Sequence, residues 1–335
     1  MEFAAGGRME VRITPADVGK RVSVRRLAGP GSHGQKFTDT VGVLTSWDEG
    51  VLLITRRTGE TVHIPESSLV SGKIVPNAPA RRRGLPAAGF EELARVSARA
   101  WQPVESERLG DWELRAASGF TRRANSVLPL GDPGVPLDDA LTRVRGWYAA
   151  RGLPPYIQTA TGAEGTQERL CAELEERGWA REVTAELRIG GLAPIGDLDA
   201  DVSRVRLARS VDEAWLQRYQ RFGVPGPHVL KVLGSGPSVW FATIPGEGEI
   251  PAAIGRCVVD GRWAGFMAVE VDPSYRRQGL ATAVMASLAR RALEEGASAS
   301  WLQVEADNDG ARALYEGMGF ATHHLYHHFR YSRSS

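Results

Sequence analysis

Several features are scarce in this chain of 335 residues, and each scarcity excludes a class of protein. Its two cysteines, Cys171 and Cys257, are isolated and have no metal-ligand spacing, which argues against a disulfide framework and against a zinc site. No apolar run approaches the ~20 residues of a membrane span. With 41 Lys and Arg against 40 Asp and Glu, the chain lacks the excess positive charge of a protein that coats nucleic acid.

The sequence also lacks a recognisable secretory signal, so we expect a cytoplasmic protein with neither a membrane partner nor a nucleic-acid partner. The length predicts two or three domains. The hydrophobic content of 42% is ample for packed cores.

Short β-prone runs separated by turn residues occupy residues 10–76. They lie at 11–13, 21–24, 40–44, 51–54 and 61–64. Five short strands in so small a segment predict an antiparallel barrel of the SH3-like kind. Residues 77–87, with three consecutive arginines at 81–83, are predicted to be a solvated linker, and contact with an acidic partner is the alternative.

Helices and strands alternate from residue 88 onwards, and the pattern occurs twice. Residues 170–179 align with residues 311–320, and each segment ends a predicted helix with glycine followed by an aromatic residue. A repeat at this spacing indicates duplication of a domain. We therefore predict two domains, at 88–200 and 201–335.

The stretch between a predicted strand over 265–271 and a predicted helix over 280–293 carries the strongest functional signal. It contains Arg276-x-x-Gly279-x-Ala281. The first turn of a helix has free N–H groups at its positive dipole end, and small residues let a phosphate approach them. The segment therefore suits a pyrophosphate, although it contains neither G-x-x-x-x-G-K-[ST] nor G-x-G-x-x-G.

A second motif follows about thirty residues later. A strand predicted over 300–304 is followed by Asn308 and Asp309, either of which is a good N-cap residue, and then by a helix over 311–318 that ends at Gly319. The two motifs, [QR]-x-x-G-x-[GA] after V-x-P and N-x-x-A-x-x-x-Y-x-x-x-G-F, resemble the coenzyme A loop and the second signature of the GNAT superfamily of N-acetyltransferases. The resemblance covers residues 265–320.

This resemblance implies transfer of an acetyl group from acetyl-CoA to a primary amine by direct attack in a ternary complex, without a metal. It implies a backbone N–H near Val269 that polarises the thioester carbonyl. The implied coenzyme-binding residues lie on the strand, on the loop and in the second motif: Met267, Ala268, Val269 and Val271; Arg276, Arg277, Gln278, Gly279, Leu280, Ala281 and Thr282; Asn308, Ala311 and Tyr315.

Tyr315 resembles the general acid of the family, which protonates the leaving thiolate. A packing aromatic is the alternative, because helical spacing places Ala311, Tyr315 and Met318 on one stripe. Glu270 and Glu305 are the two candidates for the base that takes the proton of the amine. Either carboxylate would need a raised pKa or a bridging water, and either could instead be a solvent-facing ion-pair partner.

Four histidines, His323, His324, His327 and His328, could bind a metal from one strand. We instead assign them to the last strand of the sheet, because no carboxylate or cysteine spacing supports zinc.

The predicted fold class is therefore α+β: a small N-terminal β-barrel followed by two GNAT-like mixed-sheet α/β domains, of which the first is degenerate. Proline-rich residues 128–136 replace the coenzyme loop in the first copy, and Leu174 stands at the place of Tyr315. Prolines lack N–H donors and Asp132 would repel phosphate, so we expect the first copy to be a scaffold or a substrate wall. A similar tandem enzyme, mycothiol synthase, shows that first halves of this kind can hold a coenzyme.

The acceptor stays open at this stage, as either a small molecule, such as one resembling that of mycothiol synthase, or a protein lysine or N-terminus. We expect its pocket to involve residues 215–228 and the face of the first copy. An alternative of a different class is an acyl-CoA-sensing or partner-binding protein that works through its β-barrel.

Overall fold

The computed structural model describes residues 11–28, 37–76, 84–219 and 226–331. Most of the predicted linker (77–83) and residues 220–225 of the predicted acceptor loop lie outside these ranges. None of the helices in these ranges is long and apolar enough to cross a membrane.

The strands and helices are numbered in chain order. The strands are β1 (Arg21–Leu27), β2 (Phe37–Asp48), β3 (Val51–Thr55), β4 (Thr61–Pro65), β5 (Leu69–Ile74), β6 (Glu105–Leu109), β7 (Trp112–Ala116), β8 (Leu128–Pro129), β9 (Tyr156–Thr161), β10 (Trp179–Gly191), β11 (Arg206–Ala208), β12 (Ser238–Ile244), β13 (Ala253–Asp260), β14 (Trp263–Val271), β15 (Ala299–Glu305) and β16 (Ala321–Tyr331). The helices are α1 (Phe90–Arg99), α2 (Leu137–Ala149), α3 (Glu168–Glu176), α4 (Ala193–Gly196), α5 (Glu213–Arg218), α6 (Pro227–Leu233), α7 (Leu280–Glu294) and α8 (Asp309–Gly317).

The N-terminal strands form a five-stranded sheet in the order β4-β3-β2-β1-β5, with antiparallel neighbours. Alternate residues such as Val22 and Val24 are fully buried in its core. The strand predicted at 11–13 is wrong: Val11 makes a single isolated bridge to Gly72, while Ile13 is buried in the core. The fifth strand is instead β5, whose central Ser and Gly weaken its β signal in the sequence.

An internal segment of the chain belongs to the same compact unit as this sheet. The unit comprises Met1–Ala80 and Thr159–Trp179, and within it α3 packs against β2 and β3. The Thr161 hydroxyl donates to the carbonyl oxygen of Arg57 at 2.9 Å. Gly162 follows with φ +97°, and a Cβ there would lie 2.7 Å from the Arg57 Cγ.

The second compact unit comprises Arg81–Gln158 and Ala180–Ser335, and it contains most of an eight-stranded sheet. The strand order is β11-β12-β13-β14-β15-β10-β16-β9. In this order β10, from the first half of the repeat, lies between β15 and β16 of the second half, and β16 lies beside β9 of the first. The two copies have therefore exchanged their last strands. The remaining first-copy strands form a three-stranded sheet, β6-β7-β8, which reaches β9 through a bridge between Val127 and Ile157.

Small residues bring α7 close to this sheet. Ala286, Ala289 and Ala292 are fully buried, and a Cβ on Gly255 of β13 would lie only 2.4 Å from a methyl carbon of Val284. This close packing fixes the position of the first turn of α7, which begins directly after Gly279.

The packing of residues 159–179 on the N-terminal sheet is tested by a matched pair of glycines. We expect Gly162→Ala to destabilise the protein by about 2–4 kcal/mol, since it combines an unfavourable φ with the contact to Arg57. Gly165→Ala meets open space at φ +77° and should lower the free energy of unfolding by about 1–2 kcal/mol. Denaturant unfolding measures both values, and equal losses would contradict the packing described here.

Candidate active site

The edge of β14 that faces β15 opens in the middle of the sheet. The two strands pair in parallel over Trp263–Phe266 and Ala299–Leu302, where the pairing found among the described residues ends. On the other side the register with β13 shifts between Ile254 and Arg256, and Ala268 adopts φ +52°. This bulge turns β14 away from β15, and backbone groups beyond Phe266 become accessible to a ligand that could pair like an extra strand.

The loop after β14 is preorganised by its own side chains. Asp272 caps a 3-10 turn at Pro273–Tyr275 by accepting from the Ser274 N–H at 2.8 Å, and it also forms an ion pair with Arg218. Gly279 is the N-cap of α7 with φ +75°, and a Cβ there would meet nothing within 4 Å. Glycine is therefore favoured at this position by backbone conformation, and the space beside it is open to a ligand.

A cavity of about 950 Å³ lies against this loop and the start of α7. The charged residues in its lining are three arginines, Arg218, Arg276 and Arg277, and one glutamate, Glu270. The lining therefore carries a net positive charge, next to the positive N-terminal end of the α7 dipole. Among the predicted coenzyme residues, its lining includes Val269, Val271, Arg276, Arg277, Gly279, Leu280, Ala281, Thr282, Asn308, Ala311 and Tyr315. The donors, the charge and the open space fit the diphosphate of a coenzyme A molecule.

A second cavity, of about 330 Å³, also borders β14. Its lining comprises Trp101, Arg123, Tyr219, Phe266, Met267, Ala268, Val269, Trp301, Gln303, Val304, Glu305, Asn308, Ala311 and Tyr315. The predicted residues Met267 and Ala268 thus line this second cavity, and Gln278 is in the lining of neither. Four residues line both cavities: Val269, Asn308, Ala311 and Tyr315.

The two candidate bases line different cavities. Glu270 lines the cavity at the loop, whereas Glu305 lines the second cavity. Tyr315 lies where both cavities meet, half-buried, with its ring 6.0 Å from that of Phe320 in an edge-on contact. The Asn308 side chain accepts from the Ala311 N–H at 3.1 Å and so caps α8, the helix that carries Tyr315.

An exchanged strand holds α8 in place. Glu186 of β10 is buried and accepts from the Arg312 side chain of α8 at 3.0 Å, from Arg188 at 2.5 Å and from the Thr322 hydroxyl at 2.9 Å. Burial would raise the pKa of Glu186, but the hydrogen bonds from Arg188 and Thr322 and the charges of both arginines lower it below its usual value. The first copy therefore provides the anchor of the helix that carries Tyr315.

Two further first-copy residues enter the second cavity, and the sequence analysis did not find them individually. Trp101 follows α1, and Arg123 lies between β7 and β8. Arg123 donates to the Gln303 side-chain oxygen at 2.6 Å and to the Tyr326 hydroxyl at 2.7 Å. Neither residue belongs to a local sequence motif. The sequence predicted only that the face of the first copy helps to form the acceptor pocket, without naming residues.

A buried arginine of β13, Arg256, packs against the bulge of β14. Arg256 donates to the carbonyl oxygens of Ala100, Leu233 and Ser235, and it contacts the Met267 sulfur across the register shift. Burial lowers its pKa to about 9, so the guanidinium remains charged at neutral pH.

The four histidines lie on β16, the last strand of the sheet. Burial lowers the pKa of His324, His327 and His328, that of His327 to about 3, so these rings are neutral at pH 7. Within the described ranges, no group of three or more His, Cys, Asp or Glu side chains is placed to hold a metal ion.

Comparison with solved structures identifies the class of this fold. A tandem GNAT protein from the clavulanic acid biosynthesis pathway superposes with a TM-score of 0.51, at 12% identity, over 76% of this chain and 92% of its own. The fold is therefore that of the GNAT acetyltransferases, and the predicted α+β fold class is confirmed.

The family follows from the sequence comparisons. Residues 88–331 match the family described as "Probable histone acetyltransferase Rv0428c C-terminal", and residues 16–73 match "Rv0428c N-terminal Sm-like domain". The chain belongs to this Rv0428c-type family of N-acetyltransferases. It is 27% identical over 315 residues to the Rv0428c protein of Mycobacterium tuberculosis, with 94% of each chain covered. It is 25% identical to the N-acetyltransferase YobR of Bacillus subtilis, over 73% of this chain and 99% of that protein.

The anchoring role of Glu186 is tested by its neutral isostere. We expect Glu186→Gln to lower the free energy of unfolding by about 3–5 kcal/mol, because it leaves buried Arg188 and its partners without the carboxylate. Glu182 of the same strand is the control: it pairs with Arg122 and Arg330 near the surface, and Glu182→Gln should cost about 1 kcal/mol or less. Denaturant unfolding measures both losses, and similar values would remove Glu186 as an anchor.

Proposed function

We propose that this protein transfers the acetyl group of acetyl-CoA to a primary amine by direct attack in a ternary complex. The observation that carries the proposal is the meeting of two cavities at Val269 and Tyr315. The charge and open space of one cavity suit a diphosphate, and the other cavity is a polar and aromatic space of a size that suits an acceptor. In this proposal residues 201–335 supply the catalytic half and residues 88–200 a supporting half, of which residues 159–179 pack with the domain formed by residues 10–76.

The coenzyme site would be formed by the loop and the open edge of β14. N–H groups of the first turn of α7, together with Arg276 and Arg277, would hold the diphosphate. The backbone of Met267–Val271 would pair with the extended arm of the coenzyme. When bound, acetyl-CoA supplies a thioester, whose carbonyl carbon is open to attack by an amine.

Tyr315 and Glu305 would handle the protons. Attack by a neutral amine requires that its ammonium form first loses a proton, and Glu305 lines the cavity in which the acceptor would bind. We therefore favour Glu305, acting directly or through water, over Glu270, which lines the cavity at the loop. The Tyr315 hydroxyl, at the junction, would donate a proton to the leaving sulfur.

The coenzyme site is tested by placing a negative charge beside the diphosphate position. Wild-type protein should bind one acetyl-CoA per chain in titration calorimetry, and Gly279→Glu should weaken binding by more than about 100-fold because it adds charge and bulk in the open space. Gly296→Glu is the control, because Gly296 has φ +91°, equally open surroundings and a place at the far end of α7. Two equivalent sites, or unchanged binding by Gly279→Glu, would refute the assignment.

The acid role is tested with Tyr315→Phe, which keeps the ring and its contact with Phe320. We expect turnover to fall by roughly 10²–10⁴-fold with little change in acetyl-CoA affinity, since the hydroxyl acts when charge develops on sulfur. Thiol release with a panel of amines measures turnover, and Tyr331→Phe controls for loss of a hydroxyl elsewhere. Wild-type turnover by Tyr315→Phe, where chemistry limits the rate, would leave Tyr315 with a packing role.

A further inference from the structure

We infer that the acceptor is a small primary amine that also carries a carboxylate, and that Arg123 of the first copy binds this carboxylate. The inference rests on the proposed acetyl transfer and specifies its substrate class. It assigns to the degenerate copy a part in substrate selection.

Among the described residues, Arg123 forms no ion pair with a carboxylate. Its hydrogen bonds there go to two neutral acceptors, the side-chain oxygen of Gln303 and the hydroxyl of Tyr326. These bonds use Nε and Nη2, so Nη1 retains its donors for a ligand. A guanidinium in a confined cavity favours an anionic partner, and a carboxylate matches its planar fork.

The guanidinium is also held in place before any ligand binds. Its carbon lies 5.7 Å from the ring centre of Trp101 and 5.8 Å from that of Tyr326. Because these rings and the two hydrogen bonds restrict the side chain, little conformational entropy remains to be lost when a carboxylate binds.

A side chain of opposite charge, Glu305, lines the same cavity. Glu305 follows Gln303 by two residues on β15, so both side chains are on one face, about 6.6 Å apart along the strand. Glu305 lines this cavity together with Asn308 and Tyr315, which also line the coenzyme cavity. A ligand with an ammonium group near Glu305 and a carboxylate near Arg123 complements both charges.

Other amines match this cavity less well. A plain alkylamine leaves the Arg123 charge without a partner. A protein lysine brings an uncharged backbone behind its amine, whereas about 330 Å³ suits a small molecule.

The experiment compares ω-amino acids with their amides in the thiol-release assay. The acceptors are glycine, β-alanine, 4-aminobutyrate and 6-aminohexanoate, each beside its carboxamide, and a histone-tail peptide is included. At the best chain length we expect kcat/KM for the acid to exceed that for the amide by about 10–100-fold, the scale of one charge-assisted contact.

Three variants assign the preference to Arg123. Arg123→Gln should reduce the ratio of acid to amide to within about threefold. Gln303→Glu keeps the arginine and places a carboxylate oxygen where the amide oxygen now accepts at 2.6 Å, so it should reduce the ratio in the same way. Arg145→Gln is the control: Arg145 lies on α2 over the Tyr331 ring and does not line the cavity, so this variant should retain the wild-type ratio.

The outcomes separate this inference from the proposed function. Equal kcat/KM for acids and amides in an active enzyme, or faster turnover of the histone peptide, would overturn the inference while acetyl transfer stands. A preference that survives both Arg123→Gln and Gln303→Glu would overturn the role of Arg123. Absence of acetyl-CoA binding, together with absence of thiol release with every amine, would instead overturn the proposed function.

Discussion

The exchange of the last strands between the two GNAT-like copies is the constraint on which the rest of the candidate site depends. Because β10 lies between β15 and β16, the sheet of the second copy includes a first-copy strand, and through Glu186 that strand holds α8 and therefore Tyr315. The same interleaving brings first-copy side chains into the second cavity. The first copy, in which a proline-rich segment stands where we expect the coenzyme loop, thus contributes side chains to the candidate site.

The parts of the site that could be predicted from the sequence are those determined by residues close together in the chain. Gly279 has a positive φ at a helix start, and Asn308 caps the helix that follows it, so short motifs specify both turns. The strands and helices around them were predicted to within a few residues for the same reason. The resemblance to the GNAT superfamily added the order of these turns and a role for Tyr315, which stays a prediction.

The remaining features depend on contacts between residues far apart in the chain. The sequence of β10 does not indicate that its neighbours in the sheet are β15 and β16. Arg123 and Gln303, which form a hydrogen bond, are 180 residues apart in the chain. The sequence left Glu270 and Glu305 as alternative candidates for the base. It also gave no sign of the bulge at Ala268, which interrupts the two-residue period of β14. The fifth barrel strand was misplaced because β5 has little β propensity of its own.

The interleaved order of the sheet also bears on how the chain folds during synthesis. Domains usually fold one after another as they leave the ribosome, the N-terminal one first. Here the neighbour of β9 in the sheet is β16, the final described strand, which is synthesised last of the described strands. The first copy therefore remains unfinished, with an open strand edge, until the second has been made. Such an edge is open to pairing with other chains until the second copy is complete.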